Sequence, residues 1–425
     1  MPGKVVTFRP GPLRGSACVP GDKSISHRAL IAGAYCREPL RVTQLNPGRD
    51  VQATREALTA LGTRIHTEAS DTIVSGSPLR SPSTTLDCMN SGSTVRMLLG
   101  ACAGAGVRAG FDGDASLRRR PMEPVAAQLR AFGARIETTG GHLPLELLGR
   151  PAVETRDFIL LSPSAQVKSA LLFAGLFAGV AVSIAGDRGS RDHTERLLGY
   201  LGADIEWDER CVRLSCGPLE SKALEIAGDF SAAAFFITGA AITPGSALVV
   251  RDVGVNPRRI GLLDALGAMG AAIELRNQRT RCGEPLADVA VEYRPLSATG
   301  VGADLALRAI DEIPLVAIAA AFAAGTTTIS GIADLRSKES DRIAAIERLL
   351  AAVGSEASYD RGVMRIAGGT PQARHLIVET GHDHRTAMAA AVLGRAAGPV
   401  AIDSDESLDV SFPGFRDSLE ALRSA

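Results

Sequence analysis

An apolar stretch rich in Ala and Leu, with helical spacing, recurs six times along the chain, each time after a short polar segment. Most of these stretches end at Gly or Pro and lead into a run rich in β-branched residues, such as Ser246–Val250 or Thr326–Ile329. This order predicts a helix followed by a strand. The chain is therefore expected to be an α/β protein of six similar units, whose helices begin near Ser24, Ser91, Ser164, Ser231, Asp311 and His384.

A second pattern, Leu-x-x-x-Gly, runs in step with the first and predicts where further helices end. Each copy is interpreted as a helix C-terminus closed by Gly and followed by a strand. The six units are each about 70 residues long, which exceeds ordinary solenoid repeats of roughly 20 to 50 residues. Two domains of three units each are therefore the natural grouping. The copies begin at Leu58, Leu129, Leu198, Leu266 and, more weakly, Leu350.

Composition limits the partners of the protein. The 425 residues are 45% hydrophobic, enough for two or three globular domains. The chain has 46 Lys and Arg residues and 47 Asp and Glu residues, which gives a net charge of −1. This near-neutral charge argues against binding to nucleic acid or to an anionic membrane. Any anionic ligand is therefore expected to be small. The 7 cysteines are odd in number and form no Cys-x-x-Cys, which argues against a disulfide framework or zinc site and favours a reducing cytoplasm.

Two segments have some features of a targeting or membrane element but differ from both. Val5 and Val6 are soon followed by Arg9 and two prolines, unlike a signal peptide. The apolar run from Ser169 to Gly186 approaches the length of a membrane span, but a lysine and an aspartate bracket it and it contains three glycines. The favoured interpretation is a buried helix followed by a strand.

The most informative chemistry lies in two stretches, Val19–Ser24 with Arg28 behind it, and Leu335–Arg342. In each, cations stand beside hydroxyl or carboxylate groups near the start of a predicted helix, where free backbone N–H groups already favour an anion. This combination predicts binding of phosphate or carboxylate groups. Glu339, between a lysine and an arginine, adds a proton carrier to the same cationic surroundings.

With these residues in place, the chain resembles the enolpyruvyl transferases, most closely the family of the shikimate pathway. The resemblance covers essentially the whole length. It is carried by nine ordered motifs: Gly21–Arg28, Asn90–Arg96, Arg120–Met122, Ser164–Lys168, Ser190–His193, Gly228–Ser231, Asp311–Pro314, Lys338–Arg342 and His382–Arg385.

The resemblance implies an α/β (α+β) fold of two similar domains, each of three βαβαββ units, known as an inside-out α/β barrel. It implies an N-terminal domain over residues 14–227, a second domain over residues 1–13 and 228–425, and an active site in the cleft between them. The implied reaction transfers the enolpyruvyl group of phosphoenolpyruvate to the 5-hydroxyl of shikimate 3-phosphate and releases phosphate. No metal or other cofactor is expected, and the expected partners are the two small-molecule substrates of a monomeric chain.

The same resemblance implies roles for individual residues. Catalysis and proton transfer fall to Asp311, Glu339 and Lys23. The shikimate 3-phosphate contacts are Lys23, Ser24, Arg28, Ser164, Ala165, Gln166, Arg191, Asp311 and Lys338. The phosphoenolpyruvate contacts are Lys23, Gly92, Arg120, Gln166, Arg342 and Arg385, and the resemblance also implies that glyphosate competes at this second site.

Simpler interpretations stand beside these roles. As isolated residues, Lys23 would be a solvated lysine, Asp311 a helix cap and Glu339 a partner in an exposed salt bridge of little energetic value. The pair His382 and His384 would suggest a metal site, but no third ligand is evident.

Two other functions remain open at this point. The first is the sister enolpyruvyl transfer to UDP-N-acetylglucosamine, but the stretch from Asp112 to Met122 lacks the cysteine usual in that enzyme, and Lys23 is followed by Ser rather than Asn. The second is a non-catalytic protein that binds phosphorylated metabolites. Release of phosphate when both substrates are present separates catalysis from binding alone.

Overall fold

The computed structural model describes residues 5–150, 152–373, 377–381, 383–405, 407–408 and 411–424. The chain forms two compact units. Unit A comprises Gly21–Ile226 and Thr280–Glu284. Unit B comprises the residues up to Pro20, Ala227–Arg279 and the residues from Pro285 onward.

The helices are α1 Lys23–Tyr35, α2 Arg49–Ala60, α3 Gly92–Ala105, α4 Ala115–Arg118, α5 Glu123–Ala131, α6 Ala165–Ala178, α7 His193–Tyr200, α8 Phe230–Ile242, α9 Gly261–Ala268, α10 Ala303–Arg308, α11 Ile313–Ala321, α12 Arg342–Ala351, α13 His384–Ala397 and α14 Phe415–Ser424, with a 3-10 turn at Ala333–Ser337.

The strands are β1 Val6–Phe8, β2 Arg14–Cys18, β3 Leu40–Thr43, β4 Arg64–Glu68, β5 Asp71–Ser75, β6 Leu86–Asp87, β7 Ala109–Asp112, β8 Ile136–Thr139, β9 His142–Leu147, β10 Asp157–Ile159, β11 Val182–Ala185, β12 Ile205–Trp207, β13 Cys211–Leu214, β14 Leu224–Glu225, β15 Ala247–Gly254, β16 Ala272–Arg281, β17 Glu284–Glu292, β18 Leu296–Ser297, β19 Gly300–Val301, β20 Ala323–Ala324, β21 Thr326–Ser330, β22 Ala357–Asp360, β23 Val363–Ala367, β24 Ile377–Val378 and β25 Val400–Ile402.

Unit A contains three four-stranded sheets with one shared topology. Their strand orders are β14-β3-β5-β4, β6-β7-β9-β8 and β10-β11-β13-β12. In each sheet the first two strands are parallel and the remaining pairs are antiparallel. The parallel pairs within β6-β7 and β10-β11 are joined through α3 and α6, as a parallel crossover requires. This is the βαβαββ arrangement that the family resemblance implies.

Unit B repeats the arrangement but draws strands from the start of the chain. Its larger sheets have the orders β16-β17-β15-β2 and β19-β21-β23-β22, beside the smaller sheets β1-β25-β24 and β18-β20. Residues 14–18 pair in parallel with residues 247–251. The first crossing between units therefore falls after Pro20 rather than after residue 13, because these ladder hydrogen bonds attach β2 to unit B.

The six predicted helix starts are confirmed to within two residues. Five of the helices are closed by a side chain that accepts a backbone N–H of the first turn, as an N-cap does: Asp22, Ser91, Ser164, Asp229 and Asp383. The sixth, α11, begins instead with Pro314 in its first turn. All residues of α8 and α11 are buried, so these two helices lie in the core of unit B.

The predicted Leu-x-x-x-Gly helix ends are also confirmed. Each closing glycine has a positive φ, between 74° and 110°, which only glycine adopts at little cost. In each copy the N–H that follows the glycine donates to the carbonyl of the leading leucine at 2.9–3.0 Å, the hydrogen bond that defines a Schellman motif. The glycines are Gly62, Gly133, Gly202, Gly270 and Gly354.

The apolar run from Ser169 to Gly186 forms most of α6 and then β11, as expected. Lys168 and Asp187, which bracket it, are both fully buried and paired with each other at 2.8 Å. None of the helices in the described ranges is long and apolar enough to cross a membrane.

Candidate active site

The predicted substrate residues fall into two groups, one in each unit. Unit A carries Lys23, Ser24, Arg28, Gly92, Arg120, Ser164, Ala165, Gln166 and Arg191. Unit B carries Asp311, Lys338, Glu339, Arg342 and Arg385.

The first turn of α1 holds a lysine in an ion pair. Asp22 caps the helix by accepting the N–H of Ile25 at 2.9 Å. The ammonium of Lys23 lies 2.7 Å from Oδ2 of Asp50, and both side chains are largely buried, at 18% and 12% exposed. Lys23 is therefore not the solvated lysine of the simpler interpretation.

Arg28 lies one turn further along α1 and is almost completely buried, at 3% exposed. Nε donates to the Thr194 hydroxyl at 2.6 Å and Nη2 to the Ser169 hydroxyl at 2.9 Å, while Nη1 donates to the Ser24 carbonyl at 2.8 Å. Burial lowers the pKa of Arg28 to about 10, and the more distant carboxylate of Glu195 only partly opposes this. A desolvated cation held by neutral oxygens favours an incoming anion.

A third cationic group forms where α3 packs against α6. Arg96 donates to Oε1 of Gln166 at 2.7 Å, and Nε2 of Gln166 donates to the Ser93 hydroxyl at 2.8 Å. A Cβ on Gly92 would lie 2.7 Å from Nη1 of Arg96 and 3.0 Å from Nη1 of Arg120. Gly92 therefore lets two guanidinium groups approach the helix N-terminus closely.

Glycine also sets the spacing of these two helices. A Cβ on Gly100 of α3 would lie 2.1 Å from the carbonyl oxygen of Ala170 in α6. A Cβ on Gly104 would lie 2.3 Å from the carbonyl oxygen of Ala174. The close approach holds the first turn of α6, with Ser164 as cap and Ala165 as first residue, beside the first turn of α3.

A buried charged cluster supports the loop that carries Arg191. Lys168 lies 2.8 Å from Asp187 and 2.6 Å from Glu195, and all three side chains are fully buried. The Ser190 hydroxyl donates to the same Asp187 carboxylate. The cluster thus fixes Ser190, the residue immediately before Arg191. The side chain of Arg191 is half-buried.

Hydroxyl groups also connect the helices of unit A. Nδ1 of His27 and the hydroxyls of Thr54, Thr94 and Ser91 form a chain with successive contacts of 2.7 Å. Burial is the main reason that the pKa of His27 is lowered to about 3. The imidazole therefore stays neutral and serves as a structural link between α1, α2 and α3.

In unit B, Arg342 is the centre of the predicted site. Its side chain is 1% exposed and contacts three carboxylates, Glu339 at 2.6 Å, Asp383 at 2.9 Å and Asp311 at 3.6 Å. The ammonium of Lys338 lies 3.5 Å from the same Asp311. The two predicted proton carriers are therefore both within the field of Arg342.

The pKa values of Arg342 and Asp383 keep both side chains of this pair charged. Burial alone lowers the pKa of Arg342, but Asp383 and Glu339 more than reverse this and raise it well above its ordinary value. Burial is the largest single influence on Asp383 and raises its pKa, but the charge and hydrogen bond of Arg342, together with His384, lower the pKa below its ordinary value. Asp383 also accepts from the Ser340 hydroxyl at 2.9 Å and from the backbone N–H of Arg385 at 2.9 Å.

Arg385, in the first turn of α13, lies within a second group of polar side chains. Nη1 donates to the carbonyl of Asp311 at 3.1 Å and to Oε1 of Glu312 at 3.2 Å. Nη2 donates to the Ser231 hydroxyl at 3.0 Å, and Arg259 contacts the other oxygen of Glu312 at 2.5 Å. The guanidinium of Arg385 is thus held from several directions.

Four residues that support Arg342 or Arg385 were not among the predicted site residues: Asp383, Glu312, Arg259 and Ser231. Asp383 and Glu312 lie beside predicted residues in their motifs, and this adjacency was the available signal. Ser231 ends the motif Gly228–Ser231 and marks a predicted helix start, which was its signal. Arg259 had no such signal, because its contact with Glu312 joins parts of the chain 53 residues apart.

The described residues contain no group of three or more His, Cys, Asp or Glu side chains placed to hold a metal ion. His382, one half of the His-x-His pair, lies outside the described residues. Cys88 and Cys102 are buried, and burial raises the pKa of both thiols, as expected of packing residues rather than nucleophiles.

Comparison with known proteins identifies the family of the chain. The protein-family model for EPSP synthase (3-phosphoshikimate 1-carboxyvinyltransferase) matches residues 8–419 of the sequence. The chain is 43% identical to a 3-phosphoshikimate 1-carboxyvinyltransferase of Anaeromyxobacter sp. (strain Fw109-5), over 99% of both chains. It is 44% identical to one of Thermus thermophilus, over 98% of both.

Solved structures agree with this result. An EPSP synthase from Acinetobacter baumannii superposes with a TM-score of 0.86 at 36% identity, covering 99% of this chain and 98% of that one. The enolpyruvyl transferase NikO from Streptomyces tendae, at 18% identity and a TM-score of 0.77, shares the fold. The two-domain enolpyruvyl transferase fold is thereby confirmed, and the chain belongs to the EPSP synthase family.

Proposed function

We propose that this protein transfers the enolpyruvyl group of phosphoenolpyruvate to the 5-hydroxyl of shikimate 3-phosphate, with release of phosphate. The observation that carries the proposal is the cluster around Arg342, where two carboxylates, Asp311 and Glu339, lie within one cationic field. The reaction needs one group to accept a hydroxyl proton and another to protonate carbon, beside cations that hold anionic substrates.

The shikimate 3-phosphate contacts are assigned to unit A and to part of unit B. Arg28 is suited to a substrate anion because neutral oxygens surround it and its pKa is lowered. Ser164, Ala165 and Gln166 form the first turn of α6 and its cap, where backbone N–H groups favour phosphate. Arg191, Ser24, Lys23, Asp311 and Lys338 complete the proposed set.

Phosphoenolpyruvate is assigned to Lys23, Gly92, Arg120, Gln166, Arg342 and Arg385. Guanidinium groups suit this role because each presents paired donors to a carboxylate or phosphate. The close approach of Arg120 to Gly92 supports a phosphoenolpyruvate position at the N-terminus of α3.

The proposed chemistry proceeds by addition and elimination. Asp311, assisted by Lys23, accepts the proton of the attacking 5-hydroxyl, and Glu339 donates a proton to the methylene carbon. The resulting tetrahedral intermediate carries a new C–O bond and a methyl group. Glu339 then removes a methyl proton as the C–O bond to phosphate breaks, and the proton held by Asp311 passes to the departing phosphate. This yields the enolpyruvyl ether and inorganic phosphate and returns both carboxyl groups to their starting states.

The direct test combines the protein with both substrates and no added metal. We expect one inorganic phosphate for each enolpyruvyl ether formed, with product identified by mass spectrometry, and no phosphate when either substrate is omitted. Phosphate release with UDP-N-acetylglucosamine in place of shikimate 3-phosphate would favour the sister reaction. Binding of shikimate 3-phosphate without turnover would favour a non-catalytic sensor, and activity that a chelator abolishes and a metal restores would contradict the metal-free mechanism.

Two further points complete the proposal. A reducing, cytoplasmic location is supported by the seven free cysteines. Monomeric behaviour stays a prediction, which analytical ultracentrifugation at assay concentrations would test.

A further inference from the structure

Glu312 has no part in the proposed chemistry, yet its carboxylate is fully buried between charged partners. Its side chain is 0% exposed. Oε1 accepts from the Ser231 hydroxyl at 2.6 Å and from Nη1 of Arg385 at 3.2 Å, and Oε2 contacts Nη1 of Arg259 at 2.5 Å. A buried carboxylate persists only when such partners offset its loss of hydration.

Arg259 supplies the permanent counter-charge. Its side chain is 4% exposed, and its guanidinium lies over the Phe230 ring at 5.5 Å. It also donates to the Ser231 hydroxyl, so Ser231 contacts Arg259, Glu312 and Arg385. Glu312, Arg259 and Ser231 therefore form a support, here called the Glu312 triad, that lies against the guanidinium of Arg385.

This triad and the backbone together orient Arg385. Nη1 is fixed by Oε1 of Glu312 and the Asp311 carbonyl, and Nη2 by the Ser231 hydroxyl. Two donor nitrogens held by three acceptors define both the position and the plane of the guanidinium. Asp311, whose carbonyl takes part, is one of the proposed proton carriers.

We propose that Glu312 is a positioning residue of this enzyme, which sets the plane of Arg385 for phosphoenolpyruvate. The inference rests on the proposed function. A misplacement of about 1 Å in a residue that positions substrate can cost about 100-fold in rate. Because Arg385 is assigned to phosphoenolpyruvate, we expect an isosteric loss of the Glu312 charge to change the kinetics for phosphoenolpyruvate and not the binding of shikimate 3-phosphate.

The sign of the effect separates positioning from simple electrostatics. Glu312→Gln removes a negative charge beside Arg385, and by charge alone this should tighten the binding of an anion and lower the KM for phosphoenolpyruvate. A positioning role predicts the opposite, since the amide NH₂ would face a guanidinium and could accept no hydrogen bond from it.

The experiment compares Glu312→Gln with the wild type and with Glu347→Gln. Glu347 is a unit B carboxylate that accepts the backbone N–H of Tyr359 at 3.1 Å. For Glu312→Gln we expect kcat/KM for phosphoenolpyruvate to fall about 10- to 100-fold, in the range of losses seen when supporting groups are removed. The dissociation constant for shikimate 3-phosphate should change less than twofold, and Glu347→Gln should match the wild type.

A double-mutant comparison distinguishes positioning from a general structural role. Once Arg385→Lys has removed the guanidinium, adding Glu312→Gln should cost little further in kcat/KM, because the positioned group is already absent. Additive losses would overturn the inference, as would an unchanged or lowered KM for phosphoenolpyruvate in folded Glu312→Gln. Should that variant not fold, Ser231→Ala removes a shared hydroxyl of the triad and is expected to raise the same KM; an unchanged KM there refutes the inference.

The outcome also separates this inference from the proposed function. Absence of phosphate release by the wild type would reject the proposed function. A fully active wild type with an unaffected Glu312→Gln variant would reject only the positioning role.

Discussion

Replacing Asp383 by Asn should destabilise unit B more than any surface substitution does. Asp383 and Arg342 form a pair with side chains 0% and 1% exposed and a contact of 2.9 Å. The substitution keeps the size of the side chain and, because Asn and Asp are similar N-caps, most of the capping of α13. What it removes is the negative charge opposite a buried guanidinium.

The magnitude follows from what remains around Arg342. Breaking a buried ion pair by removing one partner costs about 3–5 kcal/mol, because the other charge stays buried. Arg342 keeps Glu339 at 2.6 Å, so we expect the lower end of this range, about 3 kcal/mol. For a unit of this size, that loss lowers the melting temperature by about 6–12 °C.

Thermal unfolding followed by circular dichroism at pH 7 is the assay, with Asp360→Asn as the matched control. Asp360 is 75% exposed and lies 3.7 Å from Arg361, so its loss should change stability by less than about 0.5 kcal/mol. A melting temperature for Asp383→Asn within about 2 °C of the wild type would refute the assigned cost.

The pH dependence gives a second check on the same pair. Arg342 lowers the pKa of Asp383 in the folded protein, so the stabilisation is present above the unfolded pKa of about 3.9 and is lost as pH falls through the folded value. The difference in melting temperature between wild type and Asp383→Asn should therefore be constant from pH 7 to 5 and shrink below about pH 4. A difference that grew on acidification would contradict this sign.

Three further outcomes are expected. Glu339→Gln should lower kcat about 10²- to 10⁴-fold in the phosphate-release assay, because a proton carrier is lost, while the dissociation constant for shikimate 3-phosphate stays near the wild-type value; near-normal kcat would return Glu339 to a structural role. Gly92→Ala should raise the KM for phosphoenolpyruvate and the inhibition constant of glyphosate, the latter by at least about tenfold, because the added methyl would lie 2.7 Å from Arg96 and 3.0 Å from Arg120; equal inhibition of both proteins would show that Gly92 does not line the site. The His27 ring should give NMR shifts that do not change between pH 8 and 5, because burial lowers its pKa to about 3, and a titration near pH 6.5 would disprove its burial as a neutral group.

The repeating fold was predictable because its signals are local. A capping side chain and the first apolar turn mark a helix start within a few residues, as at Asp22 and Ser164. A glycine with positive φ marks a helix end just as locally, as at Gly62. Each signal is contained in one short segment and needs no knowledge of the rest of the chain.

The unit boundary and the supporting residues depend on distant pairing, which no local pattern contains. The strand at residues 14–18 belongs to unit B because it pairs with residues 247–251, which lie more than 200 positions away. The hydroxyls that hold Arg28 come from Ser169 and Thr194, 141 and 166 positions away. The family motifs predict which residues meet substrate, but they do not include Ser169 and Thr194, which hold Arg28.

The use of N-terminal strands in unit B has a consequence for the order of folding during synthesis. Gly21–Ile226 contains all strands of the three unit A sheets, so these sheets can form while the rest of the chain is still being made. By contrast, β2 must wait for residues 247–251 and β1 for Val400–Ile402. Until those residues leave the ribosome, β1 and β2 lack their pairing partners, so the sheets of unit B can be completed only after those of unit A.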